Sequence, residues 1–292
     1  MIKEVRNLDL ETSWKFINQN FPFQNYINPK RKSGYFDMVK FVDAYFPNKN
    51  AKILDFGAGP CDKTAMFSLH GYDVTAFDTL DDFWHKHDNN RNKIKSFAKK
   101  VGIKYLTPTK KQQLPFSKMK FDVIMLHDVL EHFHSSPREI LNLLVGCLNP
   151  NGYLVVTVPN AGNIKKRLKL LFGYTNYGRY DYFYWYPGPW NGHVREYVKG
   201  DLKQLNYFLK LKPKLLTSYH LQLDVLPSLL HLPFKLLTTF FPSFRDSWMM
   251  ISQKTNKWKP ALTPTKEIKK KALGWHYFDM SKIPFKYDKT RK

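Results

Sequence analysis

The sequence is poor in cysteine. Its 292 residues include only two, Cys61 and Cys147, and these do not form a C-x-x-C pair. A disulfide framework or a structural zinc site needs several cysteines or histidines at characteristic spacings, so neither is indicated. A reducing compartment is the default for such a chain, and we expect a cytoplasmic protein.

A long uninterrupted apolar run is also missing. The most apolar stretch, residues 225–244, contains Lys235 and the prolines Pro227, Pro233 and Pro242. A membrane-spanning helix needs about 20 predominantly apolar residues, so the sequence predicts no span. The first residues carry acids and no apolar core, which predicts that they are not a signal peptide.

Acidic residues are half as frequent as basic ones. There are 24 Asp and Glu against 47 Lys and Arg, which gives a formal net charge of +23 at pH 7. Such a field attracts polyanions, so nucleic acid and anionic membrane surfaces are both candidate partners. Only 9 of the basic residues are arginine. Because arginine is the residue suited to bidentate contacts with phosphate and guanine, the lysine-rich excess weakens the case for nucleic acid.

Short β-like runs alternate with helix-length segments along most of the chain. In a sequence that is 43% apolar, this alternation predicts an α/β fold with a parallel sheet and helices on both faces. Strands are predicted at residues 52–56, 72–77, 103–106, 121–126, 153–158, 214–219 and 247–253. The clearest helices are predicted at residues 35–46, 62–70, 89–100 and 137–148.

The composition divides the chain into three parts. Residues 1–34 are predicted to be an N-terminal extension, residues 35–255 the α/β domain, and residues 256–292 a basic tail. Within the domain we expect a structured aromatic lid at residues 174–197 and an apolar insertion at residues 225–244.

The lid is the candidate substrate-binding segment. Aromatic side chains stack on sugars and flat rings, which makes Tyr184, Trp185 and Trp190 candidate substrate contacts. Arg195 could pair with an acidic group of the substrate. The alternative is that these rings form a small core beneath a long loop.

A glycine-rich turn, DFGAGP, follows the first predicted strand. Gly57 and Gly59 allow the backbone to approach a ligand closely, and Asp78 at the end of the next strand can accept hydrogen bonds from a ribose diol. Asp55, before the turn, suits a ligand with an ammonium or sulfonium group better than a pyrophosphate. A dinucleotide fingerprint would also carry a third glycine where Asp62 stands.

These blocks resemble class I S-adenosylmethionine-dependent methyltransferases. The resemblance is carried by DFGAGP, by FDVIMLHDVLEH at 121–132 and by NPNGYLVVTVPN at 149–160. GHVREYVKGDLKQL at 192–205 is similar to a histidine-containing segment of the branch that includes ubiquinone-biosynthesis O-methyltransferases and glycan-cluster methyltransferases. The resemblance covers roughly residues 35–255. It implies a Rossmann-like seven-stranded sheet, mostly parallel with an antiparallel last strand, and methyl transfer from S-adenosyl-L-methionine.

The resemblance also implies cofactor contacts. Asp55 and the glycines would hold the methionine end, and Asp78 would hold the ribose hydroxyls. The implied set is Asp55, Gly57, Ala58, Gly59, Asp78, Thr79, Leu80, His127 and Asp128. Many relatives carry an acid after the third strand that contacts the adenine amine, whereas this chain has LTPT at residues 106–109. Backbone groups are then the candidate adenine contacts.

Histidines and acids cluster after the fourth strand. His132, His193 and Glu131 are the candidate catalytic bases, which a hydroxyl acceptor requires. Asp128, Glu131 and His132 could share one face of a helical turn and hold a divalent ion, but no signature such as HExxH is present, and we predict no metal. Acids at this position would also complement the positive end of a helix.

The leading hypothesis is O-methylation of a small molecule, a sugar or a lipid-linked glycan. An RNA or DNA methyltransferase is the alternative, favoured by the net charge and by aromatic residues that could stack on bases. Against it, HDVL lacks the Asn/Asp-Pro-Pro-Tyr/Phe pattern typical of amino-methylating nucleic-acid enzymes. A non-catalytic module that binds S-adenosylmethionine is a third hypothesis. The apolar insertion could make peripheral contact with a membrane or accept a lipid chain, and the alternative is a buried cap over the active site.

Overall fold

One seven-stranded sheet organises the part of the chain that the computed structural model describes, residues 7–262 apart from 112, 222, 224 and 225. Its strands are β1 (Lys52–Phe56), β2 (Asp73–Phe77), β3 (Lys104–Leu106), β4 (Phe121–His127), β5 (Leu148–Pro159), β6 (Lys212–Tyr219) and β7 (Ser247–Gln253). Their order in the sheet is β3-β2-β1-β4-β5-β7-β6. β7 runs antiparallel to both β5 and β6, whereas β1 to β5 are paired in parallel. The predicted fold class is therefore confirmed.

Helices cover both faces of this sheet. They are α1 (Leu10–Asn20), α2 (Lys32–Asp43), α3 (Asp62–Leu69), α4 (Phe83–Lys86), α5 (Asn90–Lys100), α6 (Arg138–Cys147), α7 (Ile164–Leu171), α8 (Tyr180–Tyr184), α9 (Lys199–Phe208) and α10 (Ser228–Phe240). The four helices predicted from sequence are all present. The predicted lid contains the short helix α8, and the predicted apolar insertion contains α10 with Pro233 inside it.

Two apolar cores lie on opposite sides of the sheet. Ile53 and Leu54 are neighbours on β1 and belong to different cores, as the alternation of side chains along a strand requires. One core packs the first helices against the sheet and includes Met38 of α2 and Phe67 of α3. The other includes Leu144 of α6 together with Leu202 of α9. Coverage of both faces is the usual condition for a mainly parallel sheet.

The segment predicted as an N-terminal extension contributes to the first core. α1 is capped by Asp9, whose side chain accepts a hydrogen bond from the Thr12 backbone N–H at 2.8 Å. Ile17 on this helix is fully buried, and Trp14 packs edge-on against Tyr35 of α2. The predicted boundary at residue 34 therefore does not interrupt the packing.

The predicted tail lies mainly outside the described residues. Of residues 256–292, the structure describes 256–262, where the Trp258 indole donates a hydrogen bond to the Leu209 carbonyl at 2.8 Å. Over the described residues, no helix combines the length and the apolar character that crossing a bilayer requires.

From β1 the sheet grows in one direction to β2 and β3, and in the other direction to β4 and β5. The strand order therefore reverses between β1 and β4, which predicts the position of the site. In open α/β sheets, ligands bind outside the carboxyl ends of the strands at such a switch point. Asp55 lies near the end of β1 and Asp78 follows β2, while His127 ends β4. The parallel pairing of these strands brings their ends to one edge of the sheet.

Candidate active site

The turn after β1 has a backbone that demands glycine. Gly57 and Gly59 adopt φ angles of +78° and +50°. The Gly57 N–H donates to the Phe77 carbonyl at 2.8 Å, which ties the turn to the end of β2. A Cβ atom on Gly57 would lie 2.6 Å from Cγ2 of Val129. The motif therefore forms a tight turn, as the sequence predicts, and its backbone is open at Gly59, where a Cβ atom would meet nothing within 4 Å.

Asp55 presents a buried and half-satisfied carboxyl group beneath this turn. Its Oδ2 accepts a hydrogen bond from the Thr64 hydroxyl at 2.6 Å, whereas Oδ1 has no partner among the described residues. Burial raises the pKa of Asp55 to about 7, although the Thr64 hydrogen bond acts in the opposite direction. A buried carboxylate oxygen ordinarily has a donor, so Oδ1 is suited to a cationic or hydrogen-bonding ligand.

Asp78 connects the end of β2 with the glycine turn. Its two carboxylate oxygens accept hydrogen bonds from the backbone N–H groups of Gly59 at 2.9 Å and Leu80 at 2.7 Å. The side chain is half-buried, so its remaining lone pairs can be reached by a ligand. Tyr105 also donates to the Gly59 carbonyl at 2.6 Å. Of the other predicted contacts, Leu80 is buried and Thr79 is exposed.

The two predicted residues at the end of β4 have different surroundings. His127 is buried, its ring stacks on Phe67 of α3 at 5.9 Å between centroids, and burial lowers its pKa to about 3. Its imidazole is therefore neutral. Asp128 forms an ion pair with Lys63. Burial alone would raise the pKa of Asp128, but the charge and hydrogen bond of Lys63 outweigh it and lower the pKa.

Lys63 is a site residue that the sequence reasoning missed. It lies in the first turn of α3, directly after the glycine turn, and Asp128 lies 65 residues further along the chain. The position of this lysine within the cofactor motif was a signal that the sequence offered. Its partner could not be identified in the same way, because Asp128 comes close only when β1 pairs with β4.

Glu131 is the centre of the predicted catalytic cluster. Its side chain is fully buried, and neither carboxylate oxygen has a hydrogen-bond partner among the described residues. Burial raises the pKa of Glu131, and the neighbouring Asp128 raises it further. His193 comes close because the Glu131 backbone carbonyl accepts a hydrogen bond from the Val194 N–H at 2.7 Å. Nε2 of His193 lies 3.9 Å from Oε1 of Glu131.

Hydrogen bonds orient both histidines of the cluster. Nδ1 of His193 lies 2.8 Å from Oε1 of Glu196, and Nδ1 of His132 lies 2.7 Å from the Asn191 carbonyl oxygen. Since these oxygens accept, each Nδ1 carries the proton and each Nε2 is left as an acceptor. Glu196 also forms an ion pair with Lys166. Glu196 was missed in the sequence, although its position three residues after His193 was a usable signal.

The cluster also contains the residues that could hold a metal ion. Ligand atoms of Glu131, His132 and His193 all lie within 4.8 Å of one another. One carboxylate and two imidazoles suit a divalent transition metal, and Nδ1 hydrogen bonds are typical of metal-binding histidines. Asp128 could have shared a metal-binding face with Glu131 and His132 according to the sequence, but it is paired with Lys63. The absence of a metal stays a prediction.

The predicted substrate residues fall into two groups. Trp190 is half-buried between Phe183 and Tyr186, and its carbonyl lies 2.6 Å from Nε2 of His134, which follows the cluster. Tyr184 is the last residue of α8 and Trp185 follows it; both are exposed, the Trp185 side chain to 78%.

Arg195, the fourth predicted substrate residue, already has an acidic partner. Its guanidinium group pairs with Asp201 of α9 at 3.2 Å and lies over the Tyr197 ring. The roles of all four residues in substrate binding stay predictions.

Comparisons with known proteins show the family of the chain. A family model described as "Methyltransferase domain" matches residues 29–206. The ubiquinone biosynthesis O-methyltransferase of Rickettsia felis is 29% identical over 161 residues, which cover 54% of this chain and 61% of that protein. Its counterpart in Rickettsia prowazekii is 33% identical over 137 residues, 46% of each chain. The chain thus spans less than two thirds of the length of these relatives.

Solved structures show the same fold at low sequence identity. A cyclopropane-fatty-acyl-phospholipid synthase-like protein from Lactobacillus casei superposes with a TM-score of 0.51 and 13% identity. The match covers 84% of this chain and 100% of that protein. At this identity the likeness shows the fold alone.

Proposed function

The chain belongs to the class I S-adenosylmethionine-dependent methyltransferases, and we propose that it transfers a methyl group to a hydroxyl oxygen of a small molecule, a sugar or a lipid-linked glycan. The observation that carries the choice of a hydroxyl is the oriented His193, because an oxygen acceptor must lose its proton. The names of the Rickettsia relatives, which are O-methyltransferases, support the same choice.

The residues of the turn fit S-adenosylmethionine. Oδ1 of Asp55, which has no partner among the described residues, suits the ammonium group of the methionine end, and the open backbone at Gly59 allows close approach. Asp78 retains acceptor capacity for the ribose hydroxyls. When bound, this cofactor supplies a methyl group that is already activated by a sulfonium.

His193 is placed to act as the general base. In the proposed reaction its Nε2 takes the proton of the acceptor hydroxyl while the new oxygen–carbon bond forms and the sulfur–carbon bond breaks. Glu196 accepts the Nδ1 hydrogen bond, which keeps Nε2 available and stabilises the imidazolium that results. The His193 side chain is 43% exposed, so an acceptor can reach it.

The proposal is tested by following a deuterium-labelled methyl group from S-adenosylmethionine into small-molecule, lipid, glycan and RNA fractions of a cell extract. For the wild type we expect label as an ether in the small-molecule, lipid or glycan fraction. His193→Gln should lower that transfer by at least about 100-fold, the usual contribution of a general base, while cofactor affinity is unchanged. His87→Gln is the control, since His87 is an exposed histidine that packs on Phe83. Label in RNA, or full transfer by His193→Gln, contradicts the proposal.

Chelation separates the base role of His193 from a role as metal ligand. If His193 is the base, the wild type keeps its transfer rate after dialysis against EDTA. Loss of activity that Mg²⁺ or Zn²⁺ restores would instead assign Glu131, His132 and His193 to a metal site.

A further inference from the structure

Helices α7 and α10 leave most of their apolar side chains in solvent. Among the residues of α7 and the Phe172 that follows it, none is buried, and Leu171 and Phe172 are 76% and 72% exposed. In α10 only Thr238 is buried, while Leu229 and Phe240 are 85% and 78% exposed. Contiguous exposed apolar surface of this kind marks an interaction site.

The two helices form one surface. The Arg167 guanidinium of α7 lies over the Phe244 ring at 5.1 Å. Phe244 stacks on Phe241, the residue that follows α10, with 5.2 Å between ring centroids. We call this surface the apolar face and define it as the exposed side chains of α7, Phe172, α10 and Phe241.

The charged residues of the two helices are all basic. α7 exposes Lys165, Arg167 and Lys169 beside its leucines, and α10 exposes Lys235. Residues 161–180 and 226–245 contain no Asp or Glu. A helix with an apolar face and a basic face binds in the plane of an anionic membrane, because apolar burial and attraction to anionic lipids act together.

Exposed tyrosines follow α7 along the chain. Tyr174, Tyr177 and Tyr180 are 68%, 78% and 74% exposed. Tyrosine is enriched where hydrocarbon meets water, because its ring is apolar and its hydroxyl remains hydrated.

We propose that the apolar face docks this protein on the surface of an anionic phospholipid bilayer. α10, with 13 residues, and α7, with 8, are each too short to span one. They would therefore lie at the boundary between headgroups and acyl chains, with their lysines directed to lipid phosphates.

The apolar face is also connected to the catalytic cluster. Lys166 of α7 pairs with Glu196, and Glu196 accepts the hydrogen bond of His193. A lipid-linked acceptor held in the bilayer would thus meet the protein beside the proposed base. This connection rests on the proposed function, whereas docking itself does not.

The test is co-sedimentation of the full-length chain with vesicles, without cofactor or acceptor. We expect binding to vesicles of phosphatidylglycerol and phosphatidylcholine, little binding to pure phosphatidylcholine, and release by salt. Two double variants, Leu171→Ser with Phe172→Ser and Leu229→Ser with Phe240→Ser, should each weaken binding by about tenfold or more. Lys165→Gln with Lys169→Gln should weaken it more than tenfold at low salt, at about 1 kcal/mol per lysine.

Matched controls distinguish vesicle binding through the apolar face from binding through any exposed aromatic residues or lysines. Tyr207→Ser with Phe208→Ser changes two exposed aromatics on α9, and Lys95→Gln with Lys99→Gln removes two exposed lysines from α5. Both control variants should bind vesicles like the wild type, and all variants should keep the wild-type melting temperature.

Three results would overturn docking. The first is that the wild type does not bind anionic vesicles. The second is that the α7 variants and the control variants lose vesicle binding equally. The third is a wild-type dimer, measured by light scattering, that Leu171→Ser with Phe172→Ser dissociates. The last result would assign the apolar face to a second copy of the chain. Because no methyl transfer is measured, failure of the proposed function would leave the vesicle result unaffected.

Discussion

At the residue scale, Asp55 combines two properties that a cofactor-binding acid needs. It is buried, and one of its carboxylate oxygens has no partner among the described residues. Burial raises its pKa to about 7, so a large fraction of the free protein carries a neutral Asp55 at neutral pH. A cationic ligand favours the ionised form, so binding and deprotonation are linked.

This linkage predicts a pH dependence of cofactor binding. With a free-state pKa of about 7, the affinity for S-adenosylmethionine should rise by about tenfold from pH 6 to pH 8 and then level off. At pH 6.5 binding should release a proton, which calorimetry detects by repeating the titration in buffers with different ionisation enthalpies. Asp55→Asn should abolish the dependence. A wild-type affinity for S-adenosylmethionine that does not change with pH would contradict the linkage between binding and deprotonation of Asp55.

The individual residues differ in how far their roles could be predicted. The positions of Asp55 and of the glycines follow from the motif, because a strand, a tight turn and a helix are local features. Glu196 was missed although its partner His193 lies only three residues before it. Lys63 was missed because its contact with Asp128 joins segments that only the folded sheet brings together. Likewise, the sequence does not reveal that the His127 ring packs on Phe67.

At the element scale, the β1–α3 turn has little tolerance for a side chain. Gly57→Ala would force an alanine to φ +78° and place its Cβ against Val129. We expect a loss of about 1–3 kcal/mol in unfolding free energy, the usual cost of such strain, together with weaker cofactor binding. Denaturant unfolding and calorimetry measure the two effects.

Gly146→Ala is the matched control for this substitution. Gly146 lies in α6, and a Cβ there would meet no atom within 4 Å. Since alanine favours helix, this change should stabilise the protein by about 0.5–1 kcal/mol and leave cofactor binding unaltered. Equal effects of the two substitutions would show that the turn is not specially constrained.

The elements themselves were largely predictable. β1 and β7 have the predicted bounds, because their apolar runs are short and flanked by polar turns. α2 begins three residues before the predicted start and ends at Asp43 instead of continuing to residue 46. β5 is longer than predicted, since it begins at Leu148, directly after α6. Propensity does not locate such boundaries, which depend on tertiary contacts.

At the scale of the whole molecule, the net charge of +23 indicated a polyanionic partner without indicating where it binds. Exposure is a property of the packed protein, so the apolar face of α7 and α10 could not be read from composition. In the sequence, residues 225–244 were the only segment that predicted where a membrane contact would lie. The structure adds α7, whose lysines lie beside exposed leucines.

The central claim is that the turn at Asp55 binds S-adenosylmethionine, and calorimetry at pH 8 tests it most directly. We expect one saturable site in the wild type and in Asp73→Asn, which changes an exposed acid at the start of β2. Asp55→Asn should bind about ten- to a hundredfold more weakly, since a charged hydrogen bond contributes about 1.5–3 kcal/mol. A folded wild type that binds no S-adenosylmethionine, or an Asp55→Asn variant that binds it equally well, would contradict the account.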